Sequence, residues 1–213
     1  MSRIELVGAA WNVARLPRTR DPQTDRICAN SPRAYRIKAP WVFETWTEWI
    51  NVHSARHMWE TYPHAMQLHL IEQNWQRRPI YLRAPDPLFP SSLRFPATEI
   101  QNYFSIDKTP FRYITFSGAW MIAYAGYRIQ TNPRLYVNPI IDLYGFELGR
   151  DRQTDQERPC FWYWVERMRA LGIVVNVPPD VEPTAPGDPR TYTGPLYGYE
   201  TNEPACSPIA CLR

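Results

Sequence analysis

No stretch of the chain is apolar for long enough to cross a membrane, and Met1 to Ala10 lacks the charged-then-apolar layout of a secretory signal, which predicts a chain made and folded in a cytoplasm. Cysteine is scarce. Cys28, Cys160, Cys206 and Cys211 form no CxxC pair and no metal-ligand spacing. Cys28 and Cys160 fall in apolar segments and read as reduced core thiols, while Cys206 and Cys211 are near enough in sequence to close a small loop without anything requiring it. The glycine-rich phosphate loops are missing as well. Ile4-Glu5-Leu6-Val7-Gly8 reads as a first strand ending in a glycine turn, but no second and third glycine follow at dinucleotide spacing, and the GxxxxGK[ST] pattern of P-loop kinases is absent. No Ser/His/Asp or Cys/His set with a nucleophile elbow is present, which leaves hydrolase chemistry without support. His53 and His57 stand four apart but lack the Glu of an HExxH pair, so no metal is expected. A net charge of +3 is too small to argue for nucleic acid, and the basic residues between Arg15 and Lys38 read as a solvated face or a patch near an anionic ligand. Internal repeats are lacking.

What the chain does have is 9 Trp, 13 Tyr and 22 Pro in 213 residues, a composition that suits long ordered loops and aromatic-lined clefts. The length fits one α/β domain, residues 1–178, followed by an irregular Pro-rich tail, residues 179–213. The organising stretch is Tyr113 to Glu147. It reads as strand (Tyr113 to Phe116), Ser117-Gly118 turn, buried helix with Ala119, Ala123 and Ala125 on it, and a second strand Ile140-Ile141-Asp142-Leu143-Tyr144 that ends at Gly145 and Glu147. That is a βαβ unit. Ser117 is placed to cap the helix, Gly118 to let a ligand approach the main chain, and the helix N-terminus to receive an anion. Further strands are expected at Arg26 to Asn30, Trp49 to His53, Pro79 to Arg83 and Ile173 to Val177. Helices are expected at Ala55 to Trp59, Ala65 to Gln76 and Gln156 to Leu171, the last closed by Gly172. Ala84 to Pro96 reads as a proline-constrained loop.

The expected architecture is a Rossmann-like three-layer α/β fold with a mostly parallel sheet. Ligands of such sheets sit outside the carboxyl ends of the strands, where Gly8, Asn30, His53, Ser117, Gly118, Gly145 and Glu147 fall. Asn30 is either a ligand-reading amide or a turn-former before Ser31-Pro32. His53 and Glu147 are the candidate general bases. Asp142, inside an apolar run, reads as a sheet-end residue.

Thr115-Phe116-Ser117-Gly118, the Ala-rich helix and Ile141-Asp142-Leu143-Tyr144-Gly145-Phe146-Glu147 resemble the "T-S-G, helix, I-x-L-x-G-x-D" pattern of Rossmann-like sialyltransferases that use a CMP-sugar donor. They also resemble the archaeal hydroxymethylpterin diphosphokinases and their bacterial relatives. Val7-Gly8-Ala9-Ala10 and Cys28-Ala29-Asn30 look like that group's glycine turn and "R-C-N" strand. Short proteins of tailed phages look similar over nearly the whole length, through the Trp-rich strand ending in His-Ser (Trp49 to Ser54), the segment Arg158 to Trp164 and the late Tyr197-Gly198-Tyr199-Glu200.

The resemblance implies a nucleotide or nucleotide sugar bound at Gly8, Asn30, Ser117, Gly118 and Gly145, and sugar transfer to an acceptor such as a modified DNA base or a glycan. Two departures stand out. The first loop reads Gly8-Ala9-Ala10-Trp11-Asn12 where the enzymes have G-x-G-P-S, and Glu147 stands where they have Asp. The alternative is a phage structural or accessory protein, in the host cytoplasm or the virion, that keeps the fold without the chemistry.

Overall fold

The computed structural model describes residues 2–8, 10–29, 35, 38–53, 78–87, 89–146, 148 and 154–199. Among them run seven strands: β1 (Arg3–Val7), β2 (Thr24–Ala29), β3 (Glu48–Asn51), β4 (Ile80–Leu82), β5 (Ser92–Arg94), β6 (Ile140–Tyr144) and β7 (Val174–Asn176). All pair in parallel, in the order β5-β4-β3-β2-β1-β6-β7. The order runs outward from β1 to β5, then returns to the other side of β1, so the direction of winding reverses between β1 and β6. This is an open, doubly wound α/β sheet.

Parallel strands in such a sheet are covered on both faces, and the central ones are apolar on both. On the front face Ile4, Leu6, Ile27, Ile50, Ile141, Leu143 and Val175 join one core with the helices α2 (Ala97–Tyr103), α3 (Ser117–Thr131) and α4 (Thr154–Ala170). α3 is buried nearly all round, and its small residues Ala119, Ala123 and Ala125 are fully buried beneath the sheet's side chains. On the back face Val7, Cys28, Trp49, Ile80 and Leu82 form a second core with Val13 of a 3-10 turn (Trp11–Arg15) and Val42 of α1 (Val42–Thr45). The back face of β7 is open, with Val174 54% exposed.

Three expectations change. Tyr113 to Phe116 is not a strand: its carbonyls are taken by side chains and by the tail, Tyr113 O by the Trp164 indole at 3.1 Å and Ile114 O by the Tyr197 N–H at 3.0 Å, so no ladder is needed. α3 therefore enters from an irregular segment, and the βαβ unit at this place is β6-α4-β7 instead. The proline-rich loop holds the edge strand β5, where the neighbouring prolines are tolerated. The helices expected at residues 55–59 and 65–76 lie outside the described residues.

Beyond β7 the chain runs back across the front. Val181 and Leu196 are buried, Glu182 O accepts from the Trp162 indole at 3.1 Å, and Gly187 N–H donates to Pro159 O at 3.0 Å. Up to Tyr199, the tail wraps the domain.

Candidate functional site at the carboxyl edge

At the reversal point the first strand of each half ends in a glycine. Gly8 N–H donates to Tyr144 O at 2.7 Å and Ala10 N–H to Gly145 O at 2.9 Å. Gly145 has φ +71°, and a Cβ there would fall 2.1 Å from Gly8 O, while one on Gly8 would fall 2.4 Å from Gly145 O. The two glycines meet as sequence reasoning placed them, at one strand edge. They do so backbone to backbone, which closes the crevice directly over the seam.

One strand further along, the edge opens. β6 and β7 stay in register up to Asp142 and Asn176, after which β6 continues to Tyr144 and the other chain turns off at Pro178-Pro179. Between them lies a pocket of about 180 Å³, with Asn12 and Arg15 of the 3-10 turn on its other side. Asn12 is 1% exposed and Asp142 7%. The Asn12 amide donates to Phe146 O at 3.2 Å and to Asp180 at 2.9 Å, Arg15 pairs with Asp180 at 2.6 Å, and Asn176 donates to Asp142 Oδ1 at 2.7 Å. Two acceptors are left over: Asn12 Oδ1 and Asp142 Oδ2 are buried without a hydrogen-bond partner. Arg3 Nε stands 3.1 Å from Asp142 Oδ2, near enough for an ion pair but off the line a hydrogen bond requires, and its side chain is half exposed.

The start of α3 is less open than expected. Phe116, which makes no side-chain capping bond, occupies the N-cap position, and Ser117 is already the first helical residue. Gly118 lies under aromatic rings, since a Cβ there would fall 2.3 Å from the Phe116 ring and 2.7 Å from that of Phe146. His53 does stand at the carboxyl end of β3. Its Nε2 lies 3.2 Å from the Tyr197 hydroxyl, and the two rings pack edge to face at 5.2 Å. The same tail segment accepts from Trp120 of α3 through Tyr197 O at 2.9 Å, while Arg83 donates to Gly198 O at 3.3 Å and covers the Tyr199 ring. His53 and the first turn of α3 thus share one cluster, tied by the tail. Asn30 and Glu147 lie outside the described residues.

A second polar cluster sits on the front face. Arg128 of α3 bridges Glu48 at 2.5 Å and Asp25 at 3.0 Å, Tyr124 donates to Glu48 at 2.9 Å, and Tyr136 donates to Asp25 at 3.1 Å. Burial pushes the Glu48 carboxyl up from its usual range, with Arg128 pulling the other way. Burial likewise raises the Tyr124 phenol, which stays protonated as a donor. The two described thiols are no nucleophiles: burial raises Cys28 and pushes Cys160 up to about 12.

Sequence reasoning met Tyr197 and Asn12 only inside motifs and gave no role to either, nor to Asn176. A signal existed for Asp142 alone, a carboxylate interrupting a strand otherwise apolar on both sides. Among the described residues no cluster of three metal-ligating side chains occurs, and no helix is long and apolar enough to cross a membrane.

Strand order, handed reversal and edge geometry define an open α/β protein of Rossmann-like type. Compared with known proteins, the chain matches no family model, no curated protein and no solved structure.

Proposed function

We propose that the chain binds a nucleotide or nucleotide sugar along the carboxyl edge of its sheet and transfers the sugar to an acceptor hydroxyl. The supporting observation is the reversal of strand order at β1 and β6, the place where ligands of such sheets bind, with a pocket between the carboxyl ends of β6 and β7 one strand away. His53 is the candidate base: the acceptor oxygen bonds to the sugar carbon as the bond to phosphate breaks, the acceptor proton passes to Nε2, and the nucleotide leaves as the anion. For that, the Tyr197 hydroxyl swings off Nε2. A modified DNA base and a glycan are both chemically suitable acceptors.

The test is a thermal-shift screen against CMP, UMP, UDP, GDP, ATP and their sugar conjugates. A ligand at 100 times its Kd adds about 2.7 kcal/mol, a rise of roughly 5–10 °C for a chain of this length. One nucleotide raising Tm by that amount is the expected result. A flat response to all of them would sink the reading.

A second reading has its own observation. Tyr197, Gly198 and Tyr199 occupy the edge beside His53 and Trp120, as a permanent filling would in a phage structural or accessory protein without catalysis. A flat screen, together with recovery of the protein in assembled particles, is its expected signature.

A further inference from the structure

Beside His53 the tail makes a tight turn. Leu196 is buried in the front core, and Tyr199 N–H closes a four-residue turn onto Leu196 O at 2.9 Å. Gly198 has φ +79° at the third position of that turn, where a type II turn takes glycine. A Cβ there would fall 2.8 Å from Val52 O and 2.8 Å from Val52 Cγ2, so the turn is seated directly on the main chain at the carboxyl end of β3.

The body meets this turn with donors, and the turn answers with carbonyls. Trp120 Nε1 donates to Tyr197 O at 2.9 Å, and Arg83 donates to Gly198 O at 3.3 Å with its guanidinium 4.9 Å from the Tyr199 ring centre. The Tyr197 hydroxyl lies 3.2 Å from His53 Nε2, and Tyr197 N–H runs the other way, donating to Ile114 O at 3.0 Å. The two accepting carbonyls belong to successive residues, a separation that two oxygens of a diphosphate reproduce. An arginine–phosphate pair is commonly bidentate and joins opposite charges, which favours it over a single bond at 3.3 Å to a neutral carbonyl.

Position and mobility point the same way. Neighbouring strands lie about 4.8 Å apart, which puts β3 about 10 Å from β1, a span that a nucleoside diphosphate covers. Past Leu196 the described chain is in no helix or strand, and Tyr197 and Tyr199 are only half-buried. Such segments open locally at low cost.

We infer that Tyr197-Gly198-Tyr199 is an autoinhibitory plug over an anion site made by Arg83 and the Trp120 indole. Phosphate oxygens displace the two carbonyls, and the departing turn uncovers His53. The inference rests on the nucleotide reading and adds where the phosphates go and what guards their place.

The experiment is an NMR titration of the full chain with CMP, UDP and inorganic pyrophosphate, read at the Trp120 indole N–H signal and at the exchange rate of the Tyr197 amide. At least one probe should move the indole signal while Tyr197 N–H, released from Ile114 O, exchanges about tenfold faster or more. In Gly198→Ala that amide should exchange faster already without ligand, and the same probe should bind about fivefold more tightly or better, because the closed turn no longer competes. Tyr199→Ala takes the ring off Arg83 and serves in its place if Gly198→Ala does not fold. Arg83→Gln should weaken binding about tenfold even though it also frees the turn. Tighter binding by Arg83→Gln would make Arg83 a mere tie and overturn the anion site. Binding that leaves Tyr197 N–H as protected as before, or that is no tighter in the loosened variants, overturns the plug and spares the proposed function. Pyrophosphate that displaces the turn while every nucleotide of the thermal screen stays silent sinks the nucleotide reading and leaves the plug standing. Silence from all three probes in wild type and loosened variants overturns both.

Discussion

Two buried polar groupings lie on opposite faces of the same sheet, and they differ in how their hydrogen bonds close. On the front, Asp25, Glu48, Tyr124, Arg128 and Tyr136 satisfy one another, with two phenols and one guanidinium serving two carboxylates. On the back, Asn176 donates to Asp142 Oδ1, while Asn12 Oδ1 and Asp142 Oδ2 accept no hydrogen bond and only the half-exposed Arg3 stands within ion-pair range of the latter. Burial of polar groups is tolerated in both cases, but only the closed set is explained by the fold itself. The difference separates a brace, which pins α3 to the starts of β2 and β3, from a looser group held by fewer hydrogen bonds and one half-exposed ion pair.

The contrast can be broken or sharpened by substitution. The largest effect is expected from Arg128→Met, which leaves two buried carboxylates without their cation. Arg128 is 23% exposed, so the cost should fall near the low end of the range for such pairs, about 3 kcal/mol in urea unfolding. A loss under about 1 kcal/mol would remove the brace from the account. Gly145→Ala should cost about as much, roughly 2–3 kcal/mol, because its Cβ would enter the Gly8 carbonyl at a positive φ. An alanine variant of native stability would show that the seam is not closed as described.

Next in size is a pH effect. The folded-state pKa of Glu48 is raised, so its contribution to stability is fully present below the unfolded value near 4.5 and is lost as pH rises through the folded value. Glu48→Gln cannot titrate and should remove that part of the fall. Urea midpoints of the two proteins that fall in parallel as pH rises from 4.5 would count against it. The smallest effect is expected from Asp142→Asn, which keeps an acceptor for Asn176 and gives up an ion pair with a half-exposed arginine, worth under about 1 kcal/mol. A loss comparable to that of Arg128→Met would make the back-face group a second brace and erase the contrast.

Much of the fold could be read from residues because its signals were local. Ile4 to Val7, Arg26 to Ala29 and Ile140 to Tyr144 are short apolar runs stopped by turn residues, and α4 carries Phe161, Trp164, Val165 and Met168 at helical spacing ahead of Gly172. The failures lie where distant chain supplied the partner. Tyr113 to Phe116 has strand composition, yet Trp164 and Tyr197 take its carbonyls, and no neighbourhood in sequence announces either. The site divides in the same way. Gly8 and Gly145 were visible as strand-ending glycines, but that they face each other follows from strand order alone. Gly118 looked open until the Phe116 and Phe146 rings filled the space. Asn12 draws its meaning from Phe146 and Asp180, far along the chain, and was invisible beside Trp11.

The placement of β1 has a consequence for synthesis on the ribosome. Among the described strands, the earliest, β1, lies in the interior of the sheet, and its partner on one side, Ile140–Tyr144, emerges more than 130 residues later. At roughly 5–20 residues per second, one rim of β1 waits on the order of ten seconds for that partner. During the wait the nascent sheet has an unfinished border that could recruit strands from other chains. Arg3 and Glu5 put charge of both signs on the back face of β1, which disfavours apolar recruitment there, and in the finished sheet they pair with Asp142 and Arg26.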